Sequence, residues 1–341
     1  MKILIVGWGY PPKIDGGLDI AVKELFEGLR EKNIEVDLIL PADRAPEKEN
    51  IIPIEVEGDM FSKAEKLSRK AAEKSSNYDV IHTHDWFGAE AGFKASKYSD
   101  VKWICTFHSL SSSRSRTPSE KLEKLEEIGL KKSDQAIAVS DKLAGEIEDK
   151  YGERPLTVYN GFSEVKDQKE INFGVDKPVF FYVGRHAEQK GLEHLLYGFK
   201  KYLKDNEGLL VLGGDGHLKD SLEDFVEILG IEENVRFEGF IPDRELGGYY
   251  SAADVFVSPS INEPFGLTIS EALNVGTPVM CTESGINELL PSEAVTLVEP
   301  NSDSIAKGLE KSLKKDSIEV GGRSWDEMVN DYIEIYSDLI Q

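Results

Sequence analysis

The stretch EPFGLTISEALNVGTPV, residues 263–279, sets two carboxylates, Glu263 and Glu271, around a Pro-Phe-Gly turn. In a single helix the two would stand roughly 80° apart. Pro264 disfavours the α region for Glu263, and Gly266 weakens regular structure behind it. The spacing therefore predicts Glu263 on a loop and a helix beginning near Leu267. Leu267, Ile269, Leu273 and Val275 make its apolar face, and Gly276-Thr277-Pro278 stop it. Glu271 then stands one turn inside the helix. A loop carboxylate and a helix carboxylate can face one ligand from two directions, with open backbone N–H groups between them. Two unrelated surface glutamates are the alternative.

Other segments carry chemistry of the same kind. GRHAEQKG places Arg185 and Lys190 on a loop entering a helix, where two cations and free N–H groups can hold a diphosphate. Asp15-Gly16-Gly17 opens the helix LDIAVKELFEGLREKN, and two glycines let the backbone approach an anion closely. Neither this loop nor GGDGH at 213–217 is the G-x-G-x-x-G fingerprint of a dinucleotide site, which disfavours a dehydrogenase. VIHTHDWFG sets His82, His84 and Asp85 at the end of a strand. They are half a metal site at most, or polar residues lining a binding site. WICTFHSL ends another strand on His108. SSSRSR, with Arg114 and Arg116, reads as a mobile loop or as a grip on an acidic or phosphorylated acceptor.

The elements that must position these residues follow from hydropathy. Apolar runs alternate with helix-like segments throughout: KILIV, EVDLIL, DVIHTH, KWICTFH, QAIAVS and LTVYNG, then PVFFYVG, LLVLGG, NVRFEGF, ADVFVSPS, TPVMCT and AVTLVEP. This is the pattern of α/β domains with mostly parallel sheets. Each half opens with a strand, a Gly-containing loop and a helix. We therefore expect two doubly wound Rossmann-like domains facing across a cleft, residues 1–165 and 166–324, with sites beyond the carboxyl ends of the strands. The amphipathic segment SWDEMVNDYIEIYSDLI presents Trp325, Met328, Val329, Tyr332, Ile333 and Tyr336 on one face.

The 341 residues carry a net charge of −23, most of it in the second half, which argues against nucleic acid as a partner. No apolar run is long enough to span a membrane. MKILIVGWGYPP reads as a buried first strand rather than a signal peptide. Cys105 and Cys281, the only cysteines, form no disulfide framework. A cytoplasmic location is expected. Residues 60–74, MFSKAEKLSRKAAEK, make a basic amphipathic helix with Met60, Phe61, Ala64, Leu67 and Ala71 on one side. It is a surface helix or a weak membrane-surface contact.

Taken in order, Gly16-Gly17, HTHDW, TFHS, VYNGF, GRHAEQKG, VRFEGFI and PSINEPFGLTISEAL resemble the retaining glycosyltransferases of family four, which have the GT-B fold. SWDEMVNDYIEIY is similar to that family's last helix, which returns to the N-terminal domain. The resemblance implies transfer of a hexosyl unit from a nucleoside-diphosphate sugar, UDP first and GDP or ADP next, to a hydroxyl acceptor. That acceptor is a glycan, a lipid-linked or a small phosphorylated molecule. The anomeric configuration is retained. It implies that Glu263 contacts donor-sugar hydroxyls and Glu271 the ribose. The N–H groups near Phe265, Gly266, Leu267 and Thr268 hold sugar and phosphates, and the backbone near Gly239 and Phe240 reads the base. Arg185 and Lys190 stabilise the leaving diphosphate, Gly16 and Gly17 complete the cradle, and His108 lies by the sugar's reacting face. His84, Asp85, Arg114 and Arg116 fall on the acceptor side. No cofactor and no metal ion are implied. HTHDW also occurs in glycogen and starch synthases, whose glucan transfer is one alternative. A non-hydrolysing sugar-nucleotide epimerase is another, and a two-lobed binding protein without catalysis a third.

Overall fold

The computed structural model describes every residue except 115–118, 164, 166–168, 316, 317 and 319. The chain divides into two compact units, residues 1–161 with 323–341 and residues 162–322.

The first unit holds one seven-stranded parallel sheet in the order β3-β2-β1-β4-β5-β6-β7. The strands are β1 (Lys2–Val6), β2 (Glu35–Pro41), β3 (Ile51–Ile54), β4 (Val80–His84), β5 (Lys102–Phe107), β6 (Gln135–Ala138) and β7 (Leu156–Thr157). Their helices are α1 (Gly17–Glu31), α2 (Met60–Lys74), α3 (Asp85–Tyr98), α4 (Ser111–Arg114), α5 (Glu120–Lys132) and α6 (Asp141–Tyr151). Parallel strands are covered on both faces, which is why β1 is a continuous apolar run after Lys2 and why neither β1 nor β4 has an exposed residue, although β4 carries His82, Thr83 and His84. The run LTVYNG keeps only two residues of strand, at the sheet edge.

The second unit holds a six-stranded parallel sheet in the order β10-β9-β8-β11-β12-β13. Its strands are β8 (Val179–Val183), β9 (Leu209–Gly213), β10 (Val235–Gly239), β11 (Val255–Ser258), β12 (Val279–Cys281) and β13 (Val295–Leu297). Its helices are α7 (Leu192–Tyr202), α8 (Lys219–Leu229), α9 (Asp243–Ala252), α10 (Leu267–Asn274) and α11 (Ser302–Ser312). In both sheets the strand order reverses once, between β1 and β4 and between β8 and β11. Loops diverge at such a point and leave an opening beyond the strand ends.

The helix α12 (Trp325–Ile340) starts on a capping box of Ser324 and Glu327. It buries Met328, Val329, Tyr332 and Tyr336 in the core of the first unit, together with Val22, Leu25, Phe26 and Leu29 of α1.

Two local expectations are corrected. SSSRSR does not begin as a loop: Ser111–Arg114 is helical, its first residue buried, with Ser111 N donating to the buried Glu126 carboxylate at 2.5 Å. Arg116 lies outside the described residues. In α2 the side chains of Ala64, Leu67 and Ala71 are buried in the first unit, while Met60 is exposed. The apolar face offered as a membrane contact is thus mostly spent on internal packing.

Candidate active site

In the second unit the candidates gather at the strand-order reversal. The turn after β8 carries Arg185 and Lys190 and ends on Gly191, which has a φ of 67°. A Cβ there would lie 2.2 Å from the carbonyl oxygen of Pro259. Only glycine permits both that backbone conformation and the close passage of the loop that follows β11. Ile261 N donates to the Gln189 carbonyl at 2.8 Å, so the two loops are tied by backbone as well. Across this seam Lys190 Nζ donates to Glu263 Oε2 at 2.6 Å, and Ser260 Oγ donates to the same oxygen at 3.1 Å. The side chains of Lys190 and Glu263 are 22% and 13% exposed, so the pair is open enough to meet a ligand. Arg185 is exposed, and its carbonyl accepts from Tyr182 OH at 3.0 Å.

The helix expected near Leu267 is α10, capped by Gly266 at a φ of 106° with no side-chain cap. Its first N–H groups, from Leu267 and Thr268, thus start a helix that supplies no internal acceptor for them. Phe265 is buried, and its carbonyl accepts from Ile286 N at 2.8 Å, which anchors the turn. Glu271 lies one turn in and is partly buried. Tyr250 OH, from the fully buried Tyr250 of α9, donates to Glu271 Oε2 at 2.7 Å. Burial pushes the Glu271 carboxyl up to about 7, against the Tyr250 hydrogen bond and reinforced by Asp243. Gly239 ends β10 with its carbonyl taken by Gly214 N at 2.6 Å, and Phe240 beside it is 76% exposed.

In the first unit, β4 and β5 bring a second group together at the other reversal. Gly16 and Gly17 open α1 without a side-chain cap. Asp19, in the first turn, is buried and accepts from Asp15 N at 2.6 Å. Burial raises its carboxyl to about 6. Asp85 takes a φ of 47°, a strained position for a residue with a Cβ. Its Oδ1 accepts from His108 N at 2.7 Å and Ser109 N at 3.3 Å, and its Oδ2 from Arg114 at 2.8 Å. Burial pushes the Asp85 carboxyl up, against the opposing Arg114 charge and these donors. Arg114 therefore holds a side chain of its own unit, so its expected grip on an acceptor must share the guanidinium with Asp85.

His84 Nδ1 lies 3.1 Å from His108 Nε2. His82 meets Tyr336 OH at 2.7 Å and Thr106 Oγ1 at 2.8 Å, and so belongs to the core network. Burial depresses all three imidazoles, His108 to about 3, so all are neutral at pH 7. Among the described residues no cluster of three His, Cys, Asp or Glu side chains is placed to hold a metal ion. No described helix is long and apolar enough to cross a membrane.

Sequence reasoning passed over Ser260, Tyr250 and Asp19, and it read Tyr336 only as part of an apolar helix face, without its hydroxyl contact to His82. Ser260 sits three residues before Glu263 in PSINE, a local signal. The hydroxyl contacts of Tyr250 and Tyr336 reach across from distant helices and carry no local signal.

Residues 15–164 match the model of glycosyltransferase family 4, and residues 163–327 that of the glycosyl transferases group 1. An uncharacterised glycosyltransferase of Methanocaldococcus jannaschii is 32% identical over 98% of both chains. A D-inositol 3-phosphate glycosyltransferase of Thermobifida fusca is 26% identical over 79% of this chain and 73% of its own. Among solved structures, sucrose-phosphate synthase from Thermosynechococcus elongatus superposes with a TM-score of 0.82 at 24% identity, covering 99% of this chain and 98% of its own. HepE of Anabaena, solved with UDP and glucose, gives 0.74 at 19% identity over 99% and 95%. The fold is GT-B, built from two Rossmann-like units. With both halves matched in sequence and a full-length relative at this identity, the chain belongs to the group 1 glycosyltransferases.

Proposed function

We propose that this glycosyltransferase moves a hexosyl unit from a nucleoside-diphosphate sugar, UDP being the first base to test, to an acceptor hydroxyl. Retention at the anomeric carbon and independence of divalent metal ions are part of the proposal. The observation that carries it is the Lys190–Glu263 pair at 2.6 Å, joined across two loops beside the uncapped start of α10.

In this reading Glu263 accepts from donor-sugar hydroxyls while Lys190 fixes its carboxylate. Lys190 and the exposed Arg185 stabilise charge growing on the leaving diphosphate, as preorganised cations do at a developing anion. The N–H groups from Phe265 to Thr268 add the positive end of a helix dipole. Glu271 takes ribose hydroxyls, held in place by Tyr250. Two cations and a helix terminus supply the electrostatic stabilisation that a metal ion would otherwise provide. Neither glutamate acts as a nucleophile, and an oxygen of the leaving phosphate takes the acceptor's proton on the face it departs from. In the first unit, Gly16 and Gly17 are assigned to the donor phosphates and His108 to the donor sugar.

Thermal unfolding with UDP, GDP and ADP, each in EDTA, tests the binding half. A ligand at about 100 times its Kd adds roughly 2.7 kcal/mol and raises the melting temperature by a few degrees. A shift with one nucleoside diphosphate in EDTA supports the site and names the base. No shift with any of them refutes it. NMR of the glycoside formed from an α-linked donor then reads the anomeric outcome, and a β-product removes retention from the proposal.

A further inference from the structure

Side chains two positions apart on a strand share a face. His82 and His84 therefore line one face of β4, and Thr106 and His108 follow one face of β5 and its exit. The parallel register sets His84 opposite Thr106. The result is a row of three imidazoles, with ring centroids 4.4 Å apart from His82 to His84 and 5.2 Å from His84 to His108.

Two neutral imidazoles that meet nitrogen to nitrogen share one proton, and which ring donates decides both tautomers. If His108 donated from Nε2, His84 would carry its own proton on Nε2. That atom is buried and meets no partner among the described residues, so an N–H would be left orphaned. If His84 donates from Nδ1, only a lone pair of its Nε2 goes unmatched. Orphaned buried N–H groups are the rarer vacancy. The surroundings hold the arrangement still: Tyr336 and Thr106 grip both nitrogens of His82, which backs the His84 ring, and Asp85 grips the backbone of His108.

We propose that His84 donates its Nδ1–H to His108 Nε2 and so fixes His108 as the Nδ1–H tautomer. His84 is then a positioning residue that keeps His108 a hydrogen-bond donor toward the bound sugar. The inference rests on the reading of His108 as a residue of the sugar site. His108 remains 8% exposed, against 2% for His84, so of the two rings it is the one a ligand can reach.

Two-bond proton–nitrogen correlations on the full chain, labelled with 15N-histidine, read the tautomer without any activity assay. The His108 signals are identified by their loss in His108→Gln. Protonated Nδ1 with bare Nε2 in the unsubstituted protein is the expected result, and protonated Nε2 overturns the proposal. His84→Phe keeps an aromatic ring in the row and removes the donor. It is expected to return His108 to the Nε2–H form that free imidazole favours, and to lower kcat about tenfold or more with donor KM changed less than about threefold. A folded His84→Phe with unchanged kcat overturns the positioning role. If that variant does not fold, the spectrum of the unsubstituted protein still decides the tautomer. Full turnover by His108→Gln would refute the sugar-site reading instead, leaving the tautomer result to stand by itself.

Discussion

Replacing Tyr250 by Phe removes one hydrogen bond and no packing volume of note. Its effect should be read in pH rather than in loss of fold. The Glu271 carboxyl is raised to about 7 because burial penalises its charge, and the Tyr250 hydroxyl at 2.7 Å opposes that rise. A hydrogen bond to an ionised group contributes about 1.5–3 kcal/mol. At 1.36 kcal/mol per pH unit, its loss moves the midpoint alkaline by about one to two units. At pH 7.5 the ionised fraction of Glu271 then falls from roughly three quarters to about a quarter or to a few per cent. If ribose hydroxyls require the carboxylate, apparent affinity falls in proportion to that fraction, about 3-fold to 25-fold. In the unsubstituted protein affinity rises with pH through about 7, because below that value the bound proton must leave before the ribose can be accepted. Titration calorimetry of the stabilising nucleoside diphosphate between pH 6 and 10 measures both curves. The variant's curve should lie displaced to higher pH and rejoin the other at its alkaline end. Superimposed curves, or a loss of equal size at every pH, would refute the assignment of Glu271 as an ionised ribose acceptor.

Lys190→Ala and Glu263→Ala are each expected to lower kcat by about 10²–10³ with the fold intact by circular dichroism, and near-normal turnover in either would remove the pair from the chemistry. Arg185→Ala should cut transfer while leaving the melting temperature unchanged, because the side chain is exposed. Gly191→Ala forces a Cβ against the Pro259 carbonyl and strains a φ of 67°, so it should lower unfolding free energy by about 1–3 kcal/mol in urea. His108, neutral in the fold down to about pH 3, binds a proton more readily once unfolded, so its contribution to stability is lost as pH falls below about 6.5. Between pH 7 and 5, His108→Gln should therefore lose about 2 kcal/mol less stability than the unsubstituted protein in paired urea titrations.

Much of the second-unit site was legible because its signals are local. Pro264 and Gly266 announce a loop ending in a helix start, and α10 begins at Leu267 with Glu271 one turn in. The Gly191 turn and its neighbouring cation are likewise written within eight residues. The support behind the glutamates was not legible, since Tyr250 reaches Glu271 from another helix and nothing near it in sequence says so. The same holds for Arg114, whose partner Asp85 is brought to it only when β4 and β5 pair. The histidine row is an intermediate case. H-x-H on one strand and T-x-H on the next predict shared faces, but only the register says which ring meets which. SSSRSR misled because serine is a weak helix former, and the first turn there is set by Glu126, distant in sequence, accepting from its N-terminus.

The packing of α12 on α1 has a consequence for how the chain matures during synthesis. The second unit is complete once residue 322 has left the ribosome, whereas the core of the first still lacks Met328, Val329, Tyr332 and Tyr336. Until those side chains arrive, part of the apolar surface of α1 has nothing to cover it, and His82 has no hydroxyl from Tyr336. Although translated first, the amino-terminal unit is thus the later of the two to complete its core.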